Sequence, residues 1–259
     1  MQKGGGKWLL LTNILTLACI MVVAKHYHLL RDIKATIGLE QKLPDDYWAV
    51  KGWNNTIEKL DYQCDVVFFG NSITRGSDFR MYFPNAKIVN CGYPGDNLKG
   101  MLMRIPPVRH LNPKAVFAMG GINGLANQSI DEFDRLYDEF AQMLLDSIPQ
   151  ADIYLQSILP VNTDMKKDLD ITPDKIIEAN KVIKHFADVH ERCYYVDLFS
   201  VYESNGIMPP KLTRDGIHLF PNAYNRWAER LGSISKNIVV RKNNDNKINI
   251  KKDLYPTSV

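Results

Sequence analysis

The sequence predicts an α/β domain in which a parallel sheet carries helices on both faces. Three observations lead there. Five short apolar runs recur along the chain, at 64–69, 87–90, 115–119, 152–157 and 193–198. Most of them are continuous rather than alternating, as expected of strands buried on both sides. Segments of helical periodicity lie between them, and strand–helix alternation of this kind builds a parallel sheet.

Each element has its own signal. Asp45 or Asp46 suits the cap of a helix from Tyr47 to about Leu60. The first strand follows as Cys64-Asp-Val-Val-Phe-Phe69, and the second is Lys87-Ile-Val-Asn90. The third is Ala115-Val-Phe-Ala-Met119. Phe133, Leu136, Tyr137, Phe140, Met143, Leu144 and Ile148 then share one face of a helix. Asp152-Ile-Tyr-Leu-Gln-Ser157 is the fourth strand, followed by a helix from Pro173 to Glu191 after Thr172 as cap. Cys193-Tyr-Tyr-Val-Asp-Leu198 is the fifth. A last helix starts near Asn222 and includes Tyr224, Trp227, Ala228 and Leu231.

The chain's 259 residues suffice for one sizeable core. Its 45% hydrophobic and 24% charged residues are ordinary globular values, which excludes disordered, collagen-like, disulfide-dense and polytopic membrane chains. With 32 basic against 29 acidic residues the net charge is +3, so there is no electrostatic case for nucleic acid as a partner. None of the cysteines Cys19, Cys64, Cys91 and Cys193 forms a C-x-x-C pair, which argues against zinc. The last three read as buried free thiols flanking strands.

Lys3 and Lys7 precede an uncharged apolar stretch from Trp8 to Ala24. It reads as a signal-anchor, or as a signal peptide cleaved after Ala24, with the basic end cytoplasmic and the rest translocated. The expected organisation is therefore an anchor or signal over 1–24, a stalk over 25–46, one domain over 47–235 and a polar basic tail over 236–259.

Four motifs carry chemistry, each at an expected carboxyl end of a strand or just before the last helix. In doubly wound sheets that is where ligands bind. Gly70-Asn71-Ser72-Ile73-Thr74-Arg75-Gly76 follows the first strand. A serine at such a turn projects its hydroxyl beside backbone N–H groups; the alternative is that Ser72 only caps a helix. Asn90-Cys-Gly-Tyr-Pro-Gly95-Asp96-Asn97 follows the second strand, and its glycines let backbone approach a ligand. Met119-Gly-Gly-Ile-Asn123-Gly124 follows the third, offering a side-chain amide donor. Thr213-Arg-Asp215-Gly-Ile-His218-Leu219 puts a carboxylate and an imidazole three residues apart. There Asp215 can hold one ring nitrogen of His218 while the other acts as base.

Taken together, the four blocks resemble the SGNH hydrolase superfamily, the GDSL-type esterases and lipases. The family's opening Gly-Asp-Ser stands here as Gly70-Asn71-Ser72, its second-block glycine as Gly95, its Gly-x-x-Asn as Gly120 to Asn123, and its closing Asp-x-x-His as Asp215 to His218. The resemblance implies a three-layer α/β/α flavodoxin-like domain with a five-stranded parallel sheet. It implies Ser72 as nucleophile, His218 as base and acid, and Asp215 as the residue orienting it. The backbone N–H groups of Ser72 and Gly95 and the amide of Asn123 would form the oxyanion hole. It implies neither metal nor organic cofactor. Asn71 in place of Asp leaves the triad intact, while Ile122 and Gly124 reshape the pocket together with loops near Tyr93, Leu125 and Asn162.

The implied activity is hydrolysis of an O-acyl ester through an acyl-enzyme, with O-acetyl on an extracytoplasmic carbohydrate as the first expected substrate. An O-acyltransferase or a lipid acylhydrolase is the alternative, followed by a non-catalytic binding domain. The partners expected are a small-molecule or glycan ester and, through the N-terminal segment, a membrane.

Overall fold

The computed structural model describes residues 62–234, with isolated helical positions between 13 and 22 and at 58 and 59. Apart from those positions, the expected anchor, stalk, helix over 47–60 and tail over 236–259 lie outside the described residues. Among the described residues no helix is long and apolar enough to cross a membrane. The chain divides into two compact units, Met1–Tyr47 and Trp48–Val259, and the sheet lies in the second.

Five strands form one parallel sheet: β1 (Val66–Gly70), β2 (Ile88–Gly92), β3 (Ala115–Met119), β4 (Asp152–Gln156) and β5 (Cys193–Val196). Their spatial order is β2-β1-β3-β4-β5. The chain thus leaves β1 in one direction and returns past it in the other. That reversal opens a crevice at the carboxyl ends of β1 and β3, where doubly wound folds bind their ligands.

The expected strands are all present, with shifted ends. The first begins at Val66 rather than Cys64 because Asp65 serves the sheet's lower rim instead. Its carboxylate accepts from the Lys87 N–H at 3.0 Å and pairs with Lys114 at 2.7 Å.

Alternate residues of β1 face opposite helical layers, which is what makes the domain three layers thick. On one face Phe68, Phe117, Tyr154 and Tyr194 stand in register on β1, β3, β4 and β5. Their rings stack in a row with centroids 5.2, 4.5 and 5.1 Å apart. Phe79 stacks on Phe68 at 3.7 Å and meets Trp227 edge-on at 5.4 Å. Trp227 belongs to α8 (Tyr224–Ile234), and its indole N–H donates to the buried Gln156 side chain at 2.7 Å. On the other face Phe69 meets Phe140 of α5 (Ile130–Ser147), and Tyr137 and Phe133 continue the contact. Burying each of the fully enclosed rings, such as Phe68, Phe117 and Phe140, stabilises the fold by roughly 2–3 kcal/mol relative to leaving it exposed, whereas Tyr194 ends the row at the surface.

Helix α5 starts with a capping box between Ser129 and Glu132. Met143, expected on its apolar face, is exposed, because it sits at the edge of the stripe. Helix α6 (Pro173–Val189) carries the expected Thr172 cap, which accepts from the Lys175 N–H at 3.2 Å. Three short helices, α1 (Ser72–Arg75), α2 (Leu98–Leu102) and α4 (Ile122–Leu125), follow the carboxyl ends of β1, β2 and β3, while α3 (Ile105–His110) leads back to the amino end, where the Leu111 carbonyl accepts from the Cys64 N–H at 3.0 Å. A further turn, α7 (Phe199–Tyr202), precedes the loop that leads into α8. Cys64 and Cys193 are buried and Cys91 is partly so; all three are free thiols, and burial pushes them up to about 12, 11 and 11 for Cys64, Cys91 and Cys193.

Candidate active site

Ser72 is the first residue of α1, directly beyond β1. Its cap is Asn71, not the serine itself: Asn71 has extended backbone and its Oδ1 accepts from the Ile73 N–H at 2.9 Å. A reading of Ser72 as a mere helix cap is therefore excluded. Asn71 is buried, so the residue that departs from Gly-Asp-Ser performs the capping that an Asp would. The Ser72 hydroxyl is left to donate to His218 Nε2 at 2.9 Å, across 146 residues of sequence.

His218 stands on a turn that holds itself together. Asp215 Oδ1 accepts from the backbone N–H of His218 at 2.8 Å and of Ile217 at 3.1 Å, and its Oδ2 accepts from His218 Nδ1–H at 2.7 Å. With Nδ1 donating, Nε2 is the lone-pair nitrogen that faces Ser72. Thr213, fully buried, donates its hydroxyl to the His218 carbonyl at 2.8 Å and accepts from the Gly216 N–H at 3.0 Å.

Gly216 has φ +94°, and a Cβ there would meet the Asn162 carbonyl at 2.8 Å. The Asn162 N–H donates to the Gly216 carbonyl at 2.8 Å, and its side chain donates to the Met208 carbonyl at 2.7 Å. Asn162 thus pins the turn from outside at Gly216. Partial burial pushes the Asp215 carboxyl upward, but the backbone and ring hydrogen bonds from His218 and the Ile217 N–H outweigh it and bring it down to about 2. The exposed Arg214 guanidinium lies 3.5 Å from the same carboxylate.

Gly95 and Asn123 come from the loops after β2 and β3. Gly95 is exposed, with φ +74°, a conformation that favours glycine. The loop is tied to β1 by the Tyr93 N–H, which donates to the Gly70 carbonyl at 2.9 Å. Asn123 lies in α4 after Gly121, and its amide donates to the Asp96 carbonyl at 2.7 Å. A carboxamide has two N–H groups, so one anchors the side chain and the other is available to a ligand. Asn123 is exposed. Ser72 and Asn123 flank the crevice between β1 and β3.

The residues named for the pocket take the following places. Tyr93, Leu125 and Asn162 are all buried and anchor the loops that carry them. Ile122 is buried too, because it packs into the core beneath α4. Arg75 is exposed and borders a cavity of about 560 Å³ beside edge strand β2, together with Asp78, Arg80 and Asn90. Asp197, beyond β5, has a structural role, accepting from the Ser200 N–H at 3.1 Å. Among the described residues no cluster of His, Cys, Asp and Glu is arranged to hold a metal ion.

Arg104 and Asp96 are outside the set of site residues that the motifs predict. The two form a buried ion pair beneath the Gly95 loop. A signal existed: Arg104 is a lone charge within Met101-Leu-Met-Arg104-Ile-Pro-Pro-Val108. Burying such a charge demands a partner.

Solved structures share this architecture. A Bacteroides fragilis protein assigned as an acylhydrolase is 20% identical, with 76% of this chain and 100% of that one covered and a TM-score of 0.65. A GDSL-like lipase from Bacteroides thetaiotaomicron is 21% identical over 73% and 96% of the two chains, with a TM-score of 0.60. An acetyl-xylooligosaccharide esterase from Geobacillus is 18% identical over 68% and 95%, with a TM-score of 0.53. At these identities the likeness is one of fold. No curated protein sequence matches significantly. The family model for GDSL-like lipases and acylhydrolases matches residues 68–226, well over half the sequence, and the chain accordingly belongs to the GDSL-like lipase/acylhydrolase family and is a carboxylic ester hydrolase.

Proposed function

We propose that Ser72, His218 and Asp215 are the catalytic triad, and that the N–H groups of Ser72 and Gly95 with the amide of Asn123 are the oxyanion hole. The observation that carries this reading is the relay from Ser72 Oγ to His218 Nε2 at 2.9 Å and from His218 Nδ1 to Asp215 at 2.7 Å. Ser72 Oγ attacks the ester carbonyl carbon while its proton passes to His218 Nε2. The charge on the carbonyl oxygen is received by the three donors. The carbon–oxygen bond to the alcohol then breaks as His218 returns the proton to it, leaving the acyl group on Ser72. Water repeats the cycle: His218 takes its proton, the acid departs, and the Ser72 hydroxyl is restored. Asp215 stays ionised throughout and keeps Nε2 directed at the serine.

The substrate proposed is an O-acetyl ester on a carbohydrate, met outside the cytoplasm by a domain delivered through the 1–24 segment. Arg75 and Arg214, beside the triad in sequence, and Asn123 after β3 are polar and exposed, which suits a hydroxyl-rich substrate. A long acyl chain needs contiguous apolar lining instead. An acetyl-xylooligosaccharide esterase among the solved structures of like fold supports the same reading.

The test is hydrolysis of p-nitrophenyl esters from acetyl upward, followed by acetylated xylooligosaccharides, using the full chain beside Ser72→Ala and His218→Ala. Turnover that falls with chain length and vanishes in both variants supports the proposal. Turnover that persists in Ser72→Ala overturns the triad. A rate that rises with chain length replaces acetyl by lipid esters. Acetyl found on an added sugar rather than as free acetate makes the enzyme a transferase.

A further inference from the structure

We infer that Arg104 and Asp96 are positioning residues that hold the two loop-borne oxyanion donors, Gly95 and Asn123, in register with Ser72. The inference rests on the serine-esterase reading above and extends it to side chains that never meet the substrate.

Arg104 lies between α2 and α3, and both it and Asp96 are more than nine-tenths buried. Its Nε and Nη2 donate to Asp96 Oδ2 at 2.8 and 2.5 Å. Nη2 also donates to the Gly70 carbonyl at 3.0 Å, and Nη1 to the Cys91 carbonyl at 2.8 Å. The guanidinium carbon sits 4.9 Å from the centre of the Phe69 ring and 5.5 Å from that of Tyr93.

These acceptors belong to three separate parts of the site. Gly70 ends β1, two residues before Ser72. Cys91 lies near the end of β2. Asp96 follows Gly95 directly, and its own carbonyl receives the Asn123 amide at 2.7 Å. One cation therefore ties the nucleophile's strand to the loop carrying one donor, and that loop's backbone holds the other.

A buried ion pair is a poor way to gain stability, since desolvating both charges costs much of what their attraction returns. A well-packed apolar residue would serve a core better. What a guanidinium adds is a rigid fork that fixes several acceptors in one plane. Lysine has one compact ammonium on a flexible stem and cannot reproduce it. Oxyanion donors act only within a narrow range of distance, so a small loop displacement is expensive in rate.

The experiment uses Arg104→Lys and Asp96→Asn in the full chain, each alone and combined with Asn123→Ala. Folding is checked by circular dichroism and Tm. With p-nitrophenyl acetate each single variant should lose about 10–100-fold in kcat, with KM moving far less. In the Asn123→Ala background the further loss should shrink to a few-fold, because one of the donors being positioned is already gone. Folded variants with unchanged kcat overturn the inference. So does an equal loss with and without Asn123, which means the pair acts elsewhere.

A substrate-independent arm separates this failure from failure of the esterase reading. The Asn123 side-chain amide protons are followed by NMR exchange with water. Slow exchange of the proton bonded to Asp96 in the wild type, accelerated in Arg104→Lys, supports positioning even if no ester is turned over; identical exchange in the two refutes it. Turnover that survives Ser72→Ala sinks the esterase reading alone.

Discussion

The two halves of the site are held by opposite means. The His218 half is local: within six residues, Thr213, Asp215 and Gly216 supply nearly all the hydrogen bonds that aim the imidazole. The proposed oxyanion half is assembled from the ends of β1, β2 and β3, and its bonds span 8 to 34 residues. A local turn can hold its shape whatever the sheet does around it. A composite of strand ends is only as accurate as the sheet's packing. The acid–base half should therefore answer to changes in its own turn, and the oxyanion half to changes in distant core residues.

The largest effects probe where the halves meet. Ser72→Ala or His218→Ala should lower kcat by about 10⁴–10⁶-fold, measured with p-nitrophenyl acetate, while Tm changes little. Removing one donor by Asn123→Ala should cost roughly 10²–10³-fold in kcat and leave the His218 turn intact. If Asn123→Ala matched the loss from Ser72→Ala, the separation into two halves would fail.

Smaller effects sharpen the contrast. Gly216→Ala forces a side chain into a left-handed backbone position and against the Asn162 carbonyl. It should destabilise the chain by about 1–3 kcal/mol in urea unfolding and reduce activity through the turn alone. Thr213→Val removes a buried hydroxyl serving two partners and should cost about 1–3 kcal/mol by the same measurement.

The smallest effect is in pH. Asp215 is held at about 2, below its ordinary 3.8, so the folded state binds the proton less readily than the unfolded one. Its stabilisation is thus complete above the ordinary value and is lost as pH falls through about 2. Acid titrations of Tm for the wild type and Asp215→Asn should run parallel above pH 5 and converge as pH approaches 2. A gap that stayed constant to pH 2 would contradict the hydrogen bonding described for the turn.

The same contrast explains what was legible in the sequence. All five strands are visible because each contains a short apolar run, most of them continuous. The ends were misjudged where a polar residue serves the rim, as Asp65 does. The His218 turn was legible because Asp215 and His218 are three residues apart. Ser72, Gly95 and Asn123 were found through short motifs at strand ends, and the spatial order of β1 and β3 brings two of those ends together. The Arg104–Asp96 pair went unread because no motif marks two residues that meet only through folding. Helices α1 to α4 were invisible as well, since four to six residues are too few for a periodicity to show. The role of Asn71 was hidden because capping depends on backbone geometry, which residue type only suggests.

The three thiols of the domain have a practical side. Reactivity toward oxidants and alkylating agents belongs to the thiolate, and burial holds these groups protonated well above neutral pH. The three thiols of the described domain are therefore held in their unreactive form, and the sulfurs most open to peroxide are the exposed thioethers of Met81, Met103, Met143 and Met165. A serine-directed covalent probe applied to the domain would have no competing cysteine to label within the sheet.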